Sequence, residues 1–452
     1  MSNFRDVDRL TAFLLPPSVD EWLPENHLAR FVVEVVEGLD LRSMSGSYRG
    51  SGSRSHHPSM LLGLLVYGFA TGLFSSRKLE RATYDSVAFR FIAADDHPDH
   101  DAIASFRRRF LPRIEALFVD VLRLAGEMGM LKMGTIGLDG TKIHANASRH
   151  CALSYEHAGK IEAQLKGEVA GLLVLAEAAD TSDVPDGMSV PEELALRGKR
   201  LAKLAEARKK TEARAKERHA RDMADWQAEM DARAAKTATT GRKPGGKPPA
   251  PPEEGPLPGD QINLTDEEPR IMPAPGGGFG QCYNARAAVA AGSLLAVAVD
   301  VTQAPNDRRQ VEPMLARLGA LPRELGKPEV LPADAGYRGA ANVAACGKAG
   351  IEPPIAAGRQ PHRPPLAERF AGPPRAPENP TPAGAMAHRM KTARGRALYA
   401  LRKQTPEPVF GIIKSVLGFR QFPMRGPAKA RGERSLVAMS WNIKRMFVPK
   451  AA

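Results

Sequence analysis

The chain has 452 residues, of which 43% are hydrophobic and 25% charged, enough apolar material to exclude wholesale disorder and to suit about three domains. Its 64 Lys and Arg against 51 Asp and Glu leave a formal charge of +13, which points to a polyanionic partner, most often nucleic acid. Cys151, Cys282 and Cys346 lie far apart with no C-x-x-C pair, so neither a zinc knuckle nor a disulfide framework is expected, and the reading is a reducing cytoplasm.

The opening MSNFRDVDRL carries acids and no apolar run, unlike a signal peptide. The longest apolar stretch, Leu61–Phe74, is interrupted by glycines and falls short of the ~18–20 residues of a membrane span. A soluble protein without membrane association is expected. Residues 1–130 read as helical. Pro58 and Ser59 mark the start of an apolar helix over Met60–Phe69, and Glu80–Phe91 follows. Asp101 is positioned to cap a long helix through Met128, with Ile103, Phe106, Phe110, Ile114, Leu117, Val121 and Leu124 spaced by three or four. Arg107, Arg108 and Arg109 stand near its start, either as a DNA-binding surface or as a solvated basic face. His56-His57 lacks ligand spacing and reads as loop.

Residues 134–139 (GTIGLD) read as a strand. Tyr155–Ala179 and Pro191–Ala235 read as two long helices, the second with only a thin apolar stripe (Leu201, Leu204, Trp226, Met230), as in a protruding helical hairpin. Gly241–Gly259 is a Pro/Gly linker expected to be extended and mobile. Gln281–Ala290 and Leu294–Thr302 form a predicted hairpin, Arg308–Leu318 a helix, Glu329–Ala333 a strand, Gly339–Lys348 a short helix and Ile351–Ala356 another strand. Pro353–Pro382 holds ten prolines and reads as loop. Met390–Lys403 and Pro406–Leu417 read as helices, and Ser435–Phe447 as strand or helix. From Ile355 to Ala452 there are 19 Lys and Arg and four acids, net +15, an electrostatic footprint for a phosphate backbone. The fold class is α/β, with a large helical insertion splitting the core.

Two acids follow predicted strands: Asp139 in GLDGTKIHANAS and Asp334 in VLPADAGY. The C-terminal ends of strands are where α/β folds place their sites. Glu407 falls in the first turn of a helix, with Thr405 as expected N-cap, Pro406 at N1 and Lys414 two turns along the same face. Phosphoryl transfer on DNA uses two Mg²⁺ ions ~3.5–4 Å apart, and such hard ions are held by a few carboxylates, water and substrate phosphate. Three such acids would serve, although any one of them alone is more often a turn or cap residue.

The blocks DGTKIHANAS, YNAR with AVDVTQAPND, ADAGYRG and YALRKQTPEPVFGIIK resemble bacterial insertion-sequence transposases with a DDE catalytic domain. The segment from HHPSMLLGLL to FRRRF is similar to the InsH-type N-terminal domain that precedes it. The resemblance covers nearly the whole chain in order. It implies an RNase H-like mixed sheet, with Asp139, Asp334 and Glu407 as catalytic and metal-binding acids and Mg²⁺ or Mn²⁺, two ions, as cofactor. The domains it implies are a helical DNA-binding domain over 1–130, a first part of the core over 131–150, the helical insertion and linker over 151–260, and the rest of the core with a basic C-terminal block over 261–452.

In the related Tyr-x2-Arg-x3-Glu-x6-Lys signature, Tyr399, Arg402, Glu407 and Lys414 take the places. Here four residues separate Arg402 from Glu407, so Lys403 fits the family spacing better and either base is open for the role. Tyr399, Arg402, Lys403, Lys414, Arg107 and Arg108 are candidate DNA contacts. Lys142 and His144 alternate along the strand after Asp139, either toward the scissile phosphate or lining the sheet edge. Asn306 and Asp307 read as caps of the helix beginning near Arg308. Pro332, two residues before Asp334, removes a donor from what should be a central strand, so a bulge or strand end is expected there.

The implied activity is DNA transposition: binding of terminal inverted repeats, strand cleavage and strand transfer, with at least a transient dimer joining two ends. The expected setting is bacterial cytoplasm, with the protein on the nucleoid when bound to DNA. The alternatives are a catalytically inactive transposase-derived DNA-binding protein and another RNase H-like nuclease.

Overall fold

Residues 18–48, 55–148, 151–178, 189–242, 245–274, 277–356, 375 and 377–447 are described by the structure, a computed structural model. The chain divides into two compact units, Met1–Ala145 with Tyr283–Ala452, and Asn146–Cys282.

The first unit opens with helices α1 (Leu28–Gly38), α2 (Arg42–Ser45), α3 (Pro58–Thr71), α4 (Ser76–Asp85), α5 (Val87–Ile92) and α6 (His100–Glu127). His57 is a cap rather than plain loop: its Nδ1 accepts from the Ser59 N–H, with Pro58 at the first helical position. Gly72 closes α3 in the left-handed region at φ 91°, which a side chain rarely adopts. Because α3 is apolar on all sides, it is buried on all sides, with Leu62, Leu64, Leu65 and Val66 fully enclosed. The expected Glu80–Phe91 helix is two, because Ser86 takes an extended conformation between α4 and α5. The stripe from Ile103 to Val121 is buried as its spacing predicts, but Asp99, not Asp101, caps α6 by accepting from the Ala102 N–H at 2.6 Å.

The strands in chain order are β1 (Ile136–His144), β2 (Ala152–Ser154), β3 (Gln261–Asn263), β4 (Arg270–Pro273), β5 (Phe279–Ala290) and β6 (Ala296–Thr302). In the first unit β5 lies between β1 and an antiparallel β6. Beyond β1, residues 330–333 run parallel to it, bridging Thr135 to Val330 and Leu138 to Ala333, and residues 352–355 run parallel to them in turn. Neither segment becomes the full strand its composition predicts. Ile136 and Leu138 donate to the carbonyls of Val330 and Pro332, and Leu331 and Ala333 donate to those of Glu352 and Pro354. Alternation assigns the next donors to positions 332 and 354, and proline has no N–H at either. The ladders are therefore reduced to isolated bridges, and the expected strand irregularity at Pro332 is present.

Helices α9 (Val311–Gly319) and α10 (Ala340–Lys348) follow the sheet strands. A helix the sequence reading does not include, α11 (Pro382–Arg389), comes first, and the expected Met390–Lys403 helix is α12 (Ala393–Gln404). Next come α13 (Pro406–Gly411), a π turn over Ile412–Val416, and α14 (Pro427–Met446). The ambiguous C-terminal segment is thus helix. α14 packs against α6, α3 and β6, and Asn442 clamps the β6 edge by accepting from the Ala296 N–H at 2.9 Å and donating to its carbonyl at 2.8 Å. Most of the proline-rich stretch lies outside the described residues.

In the second unit β2 pairs antiparallel with β3, and β4 with the start of β5. Helices α7 (Tyr155–Ala178) and α8 (Val190–Thr240) pack together around Ala158, Leu165 and Leu204, with Ile161 and Leu201 beside them. α8 runs five residues beyond its predicted end and stops at Gly241, left-handed at φ 66°. The Pro/Gly linker is tied to this helix: Trp226 Nε1 donates to the Pro249 carbonyl at 2.9 Å and Arg218 Nη2 to that of Gly255 at 3.0 Å. Trp226, expected in the apolar stripe, thus also holds the linker down. Among the described residues no single helix is long and apolar enough to cross a membrane.

Candidate active site

Gly137 explains how the last acid reaches the first. A β-carbon there would stand 2.8 Å from Pro406 Cδ and 3.2 Å from Thr405 Cβ. The bare backbone of β1 is what lets the start of α13 lie against it, two residues from Asp139. Glu407, in the first turn of α13, is carried to the same place. Pro406 takes the first helical position as expected, but Thr405 does not cap: its hydroxyl donates back to the Leu401 carbonyl at 2.6 Å. Asp334 sits past the short parallel segment, and its Oδ1 accepts from the Gly336 N–H in the turn Ala335–Tyr337.

Arg402, in the last turn of α12, joins two of these acids. Its Nη1 lies 3.4 Å from Asp139 Oδ2 and its Nη2 2.9 Å from Glu407 Oε1. The side chain is 11% exposed, and its guanidinium carbon stands 5.7 Å from the Tyr399 ring centre. Lys403 is exposed. Of the two bases left open by the spacing, Arg402 is the one that meets the acids. Lys414, in the π turn, donates to Thr141 Oγ1 at 2.8 Å. Lys142 is half-buried, and His144 is paired through its backbone with Arg420 and Phe422.

Asp139 is mostly buried, and burial pushes its carboxyl up to about 6, against the Gly140 N–H and Arg402 and with the help of Asp334 and Glu407. Asp139 thus feels the charge of both Asp334 and Glu407. Burial alone would lower the Arg402 guanidinium, but Tyr399, Asp139, Glu407 and Asp334 outweigh it and raise it. Asp139 is the mostly buried member of the three, Asp334 is half-buried and Glu407 exposed, and the Arg402 guanidinium supplies the positive charge that meets Asp139 and Glu407.

The donor set, all carboxylate oxygen, suits a hard divalent ion. As they stand, however, no three His, Cys, Asp or Glu side chains among the described residues are arranged to hold a metal. The acids have other partners: Asp139 Oδ1 accepts from the Gly140 N–H at 2.8 Å, Asp334 Oδ1 accepts from Gly336, and Arg402 meets Asp139 Oδ2 and Glu407.

Arg107 is not a surface contact. It is buried, donates to the Phe74 carbonyl at 2.9 Å and faces Glu433 at 3.9 Å. The α6 stripe rotates it inward beside Phe106, while Arg108 stays exposed. Asn306 and Asp307 do not cap a helix either, since α9 begins at Val311 behind Gln310 without a side-chain cap. Three further residues, which the sequence does not single out, stand by the acids: Asn284, Arg286 and Tyr337, all fully buried. Their signal is present in YNAR and ADAGYRG, but a strand buried on both faces offers no alternation to mark polar side chains as unusual.

Residues 17–109 match the family described as Transposase domain (DUF772), and residues 377–447 the family described as Transposase DDE domain. These matches support an insertion-sequence DDE transposase. The DDE match holds Tyr399, Arg402, Glu407 and Lys414, and the N-terminal match ends within α6, past Arg107 and Arg108. No curated protein and no solved structure gives a significant match to the chain.

Proposed function

We propose that this DNA transposase binds the terminal inverted repeats of its own element and catalyses divalent-metal-dependent strand cleavage and transfer at Asp139, Asp334 and Glu407. The observation that carries the reading is the Arg402 guanidinium set between Asp139 and Glu407, with Asp334 acting electrostatically on both Asp139 and Arg402. The acids come from β1, from the end of the neighbouring parallel segment and from a late helix. The sheet order β6, β5, β1, 330–333, 352–355 supports an RNase H-like core.

Mg²⁺ or Mn²⁺ ions held by the three acids would supply the activation of the attacking oxygen and the stabilisation of the leaving oxygen. Arg402, released from the acids, would turn to the DNA backbone with Tyr399, Lys403 and Lys414 beside it. Lys142 and His144 would extend that surface along β1, and Arg108 would add a contact from the N-terminal helical domain. Joining two ends requires a dimer, at least in the synaptic complex.

Asp334→Asn tests the assignment, since it keeps shape and removes charge. Cleavage of a labelled element end with Mg²⁺ is expected to fall by about 10³-fold, on the scale of losing a group that acts only on the transition state. Binding in a gel shift is expected to persist, because phosphate affinity comes from Lys and Arg. Near-normal cleavage by a folded Asp334→Asn protein would end the metal-ligand reading.

A further inference from the structure

Asp307 lies in the turn between β6 and α9, where its sequence context reads as a helix cap and its side chain does something else. Its Oδ1 accepts from Asn284 Nδ2 at 2.7 Å. A β-carbon on Gly140, directly after Asp139, would stand 3.2 Å from that same oxygen and 2.9 Å from Asn284 Oδ1. A β-carbon on Gly336 would stand 3.0 Å from Asp334 Oδ1 and 3.8 Å from Asp307 Oδ2. The glycines of the Asp-Gly and Asp-Ala-Gly blocks thus leave room for one shared neighbour, and Asp307 fills it.

Asn284 supplies the second, independent observation. It is fully buried, its amide N–H is spent on Asp307, and its Oδ1 accepts no hydrogen bond while lying against the backbone beside Asp139. A buried oxygen left unpaired is costly unless something positive meets it. Arg286, 3.9 Å from Asp307 by its Nε, donates its Nη1 to Gln310 Oε1 at 2.6 Å and makes no hydrogen bond to Asn284 Oδ1, its own Nε and Nη2 being without hydrogen bonds as well.

We propose that Asp307 is a positioning residue of this site, a fourth acid that aims the Asn284 carbonyl oxygen at the space beside Asp139 and adds the negative charge that strengthens divalent-cation binding there. This rests on the metal-binding reading of Asp139 and Asp334. The competing role is purely structural: Asp307 as counter-charge to the buried Arg286.

Mn²⁺ binding to the full, DNA-free protein, measured by electron paramagnetic resonance of the unbound ion, separates the two. Asp307→Asn retains an oxygen to accept from Asn284 and removes only the charge. It is expected to weaken Mn²⁺ affinity by about 10–100-fold, the scale for residues that support ligands from behind, with the melting temperature little changed. The Mn²⁺ concentration needed for half-maximal cleavage should rise in parallel, and high Mn²⁺ should restore cleavage. Gly140→Ala pushes Asn284 and Asp307 aside without altering any charge and should weaken Mn²⁺ in the same direction.

Asp334→Asn is the control for the underlying reading. If it weakens Mn²⁺ binding and folded Asp307→Asn does not, the inference about Asp307 is overturned and the site stands. If Asp334→Asn leaves Mn²⁺ affinity unchanged, the metal-binding reading itself is lost. Should Asp307→Asn unfold, Gly140→Ala decides: unchanged affinity in that variant overturns the proposal.

Discussion

Glu433 is the acid whose environment is most at odds with its charge. It is fully buried on α14, with the Met424 N–H donating to its Oε2 at 3.1 Å and Arg107 3.9 Å from its Oε1. Burial raises its carboxyl from 4.5 to about 7, with Arg107 and the Met424 N–H pulling the other way. The folded state therefore holds this proton more tightly than the unfolded chain. The stability it contributes is fully present below the ordinary glutamate value and is lost as pH rises through about 7. Urea unfolding of the wild type should show stability declining from pH 5 to 8, with this one proton steepening the decline by at most about 1.4 kcal/mol per pH increment of one. Glu433→Gln should flatten that slope, and parallel slopes for the two proteins would refute the assignment. Arg107 belongs to this buried pair, which is why an arginine in a basic run does not face DNA.

At the scale of elements, glycine and proline decided more than hydrophobic pattern did. The crossing of α14 over α6 is set at Gly432, where a β-carbon would stand 2.3 Å from Leu111 Cγ and 3.2 Å from the Leu111 carbonyl oxygen. Intrinsic propensity says that Ala in place of a helix-interior Gly gains roughly 1 kcal/mol. Here the added methyl meets a packed side chain, and overpacking costs about 1–3 kcal/mol. Gly432→Ala is therefore expected to lower the urea midpoint, and a raised midpoint would show that the helices separate without cost. The same kind of local chemistry shortens the predicted strands at 329–333 and 351–356, since Pro332 and Pro354 lack the donors the ladders need. Helix starts differ from expectation by small steps, the cap Asp99 for Asp101 in α6 and the first residue Val311 for Arg308 in α9, because several residues in each stretch are able to open a helix and packing selects one.

Over the whole molecule the +13 charge is concentrated in the last hundred residues, which carry a net +15. If phosphate contacts dominate affinity, each one lost should make the salt dependence shallower by about one unit of log K against log salt. Arg108 is exposed on α6 inside the N-terminal family match. Arg108→Ala should weaken binding to element-end DNA and reduce that slope by about one, read by gel shift across a salt series. Arg107→Ala, which leaves the Phe74 carbonyl without its donor and the buried Glu433 without its facing charge, should instead lower stability by about 1–3 kcal/mol. A normal salt slope for Arg108→Ala would remove this residue from the DNA surface.

Asp139, Asp334 and Glu407 are proposed from the sequence because each sits where a predicted element ends or begins, yet β1 runs on to His144 and leaves Asp139 inside the strand; the blocks around them are what resemble a DDE transposase. The helical stripes of α6 and the hairpin of α7 and α8 were legible for the same reason: periodicity is a property of the chain alone. Which base serves the acids was not legible, because Arg402 and Lys403 are neighbours and only the approach of α12 and α13 to β1 turns Arg402 inward. Nor was Asp307, whose context reads as a cap until the fold sets it between Gly140 and Gly336, residues 167 and 29 positions away. Local sequence determines what each segment is able to form; the distances among charges separated by hundreds of residues exist only after the sheet has closed and the helices have packed upon it.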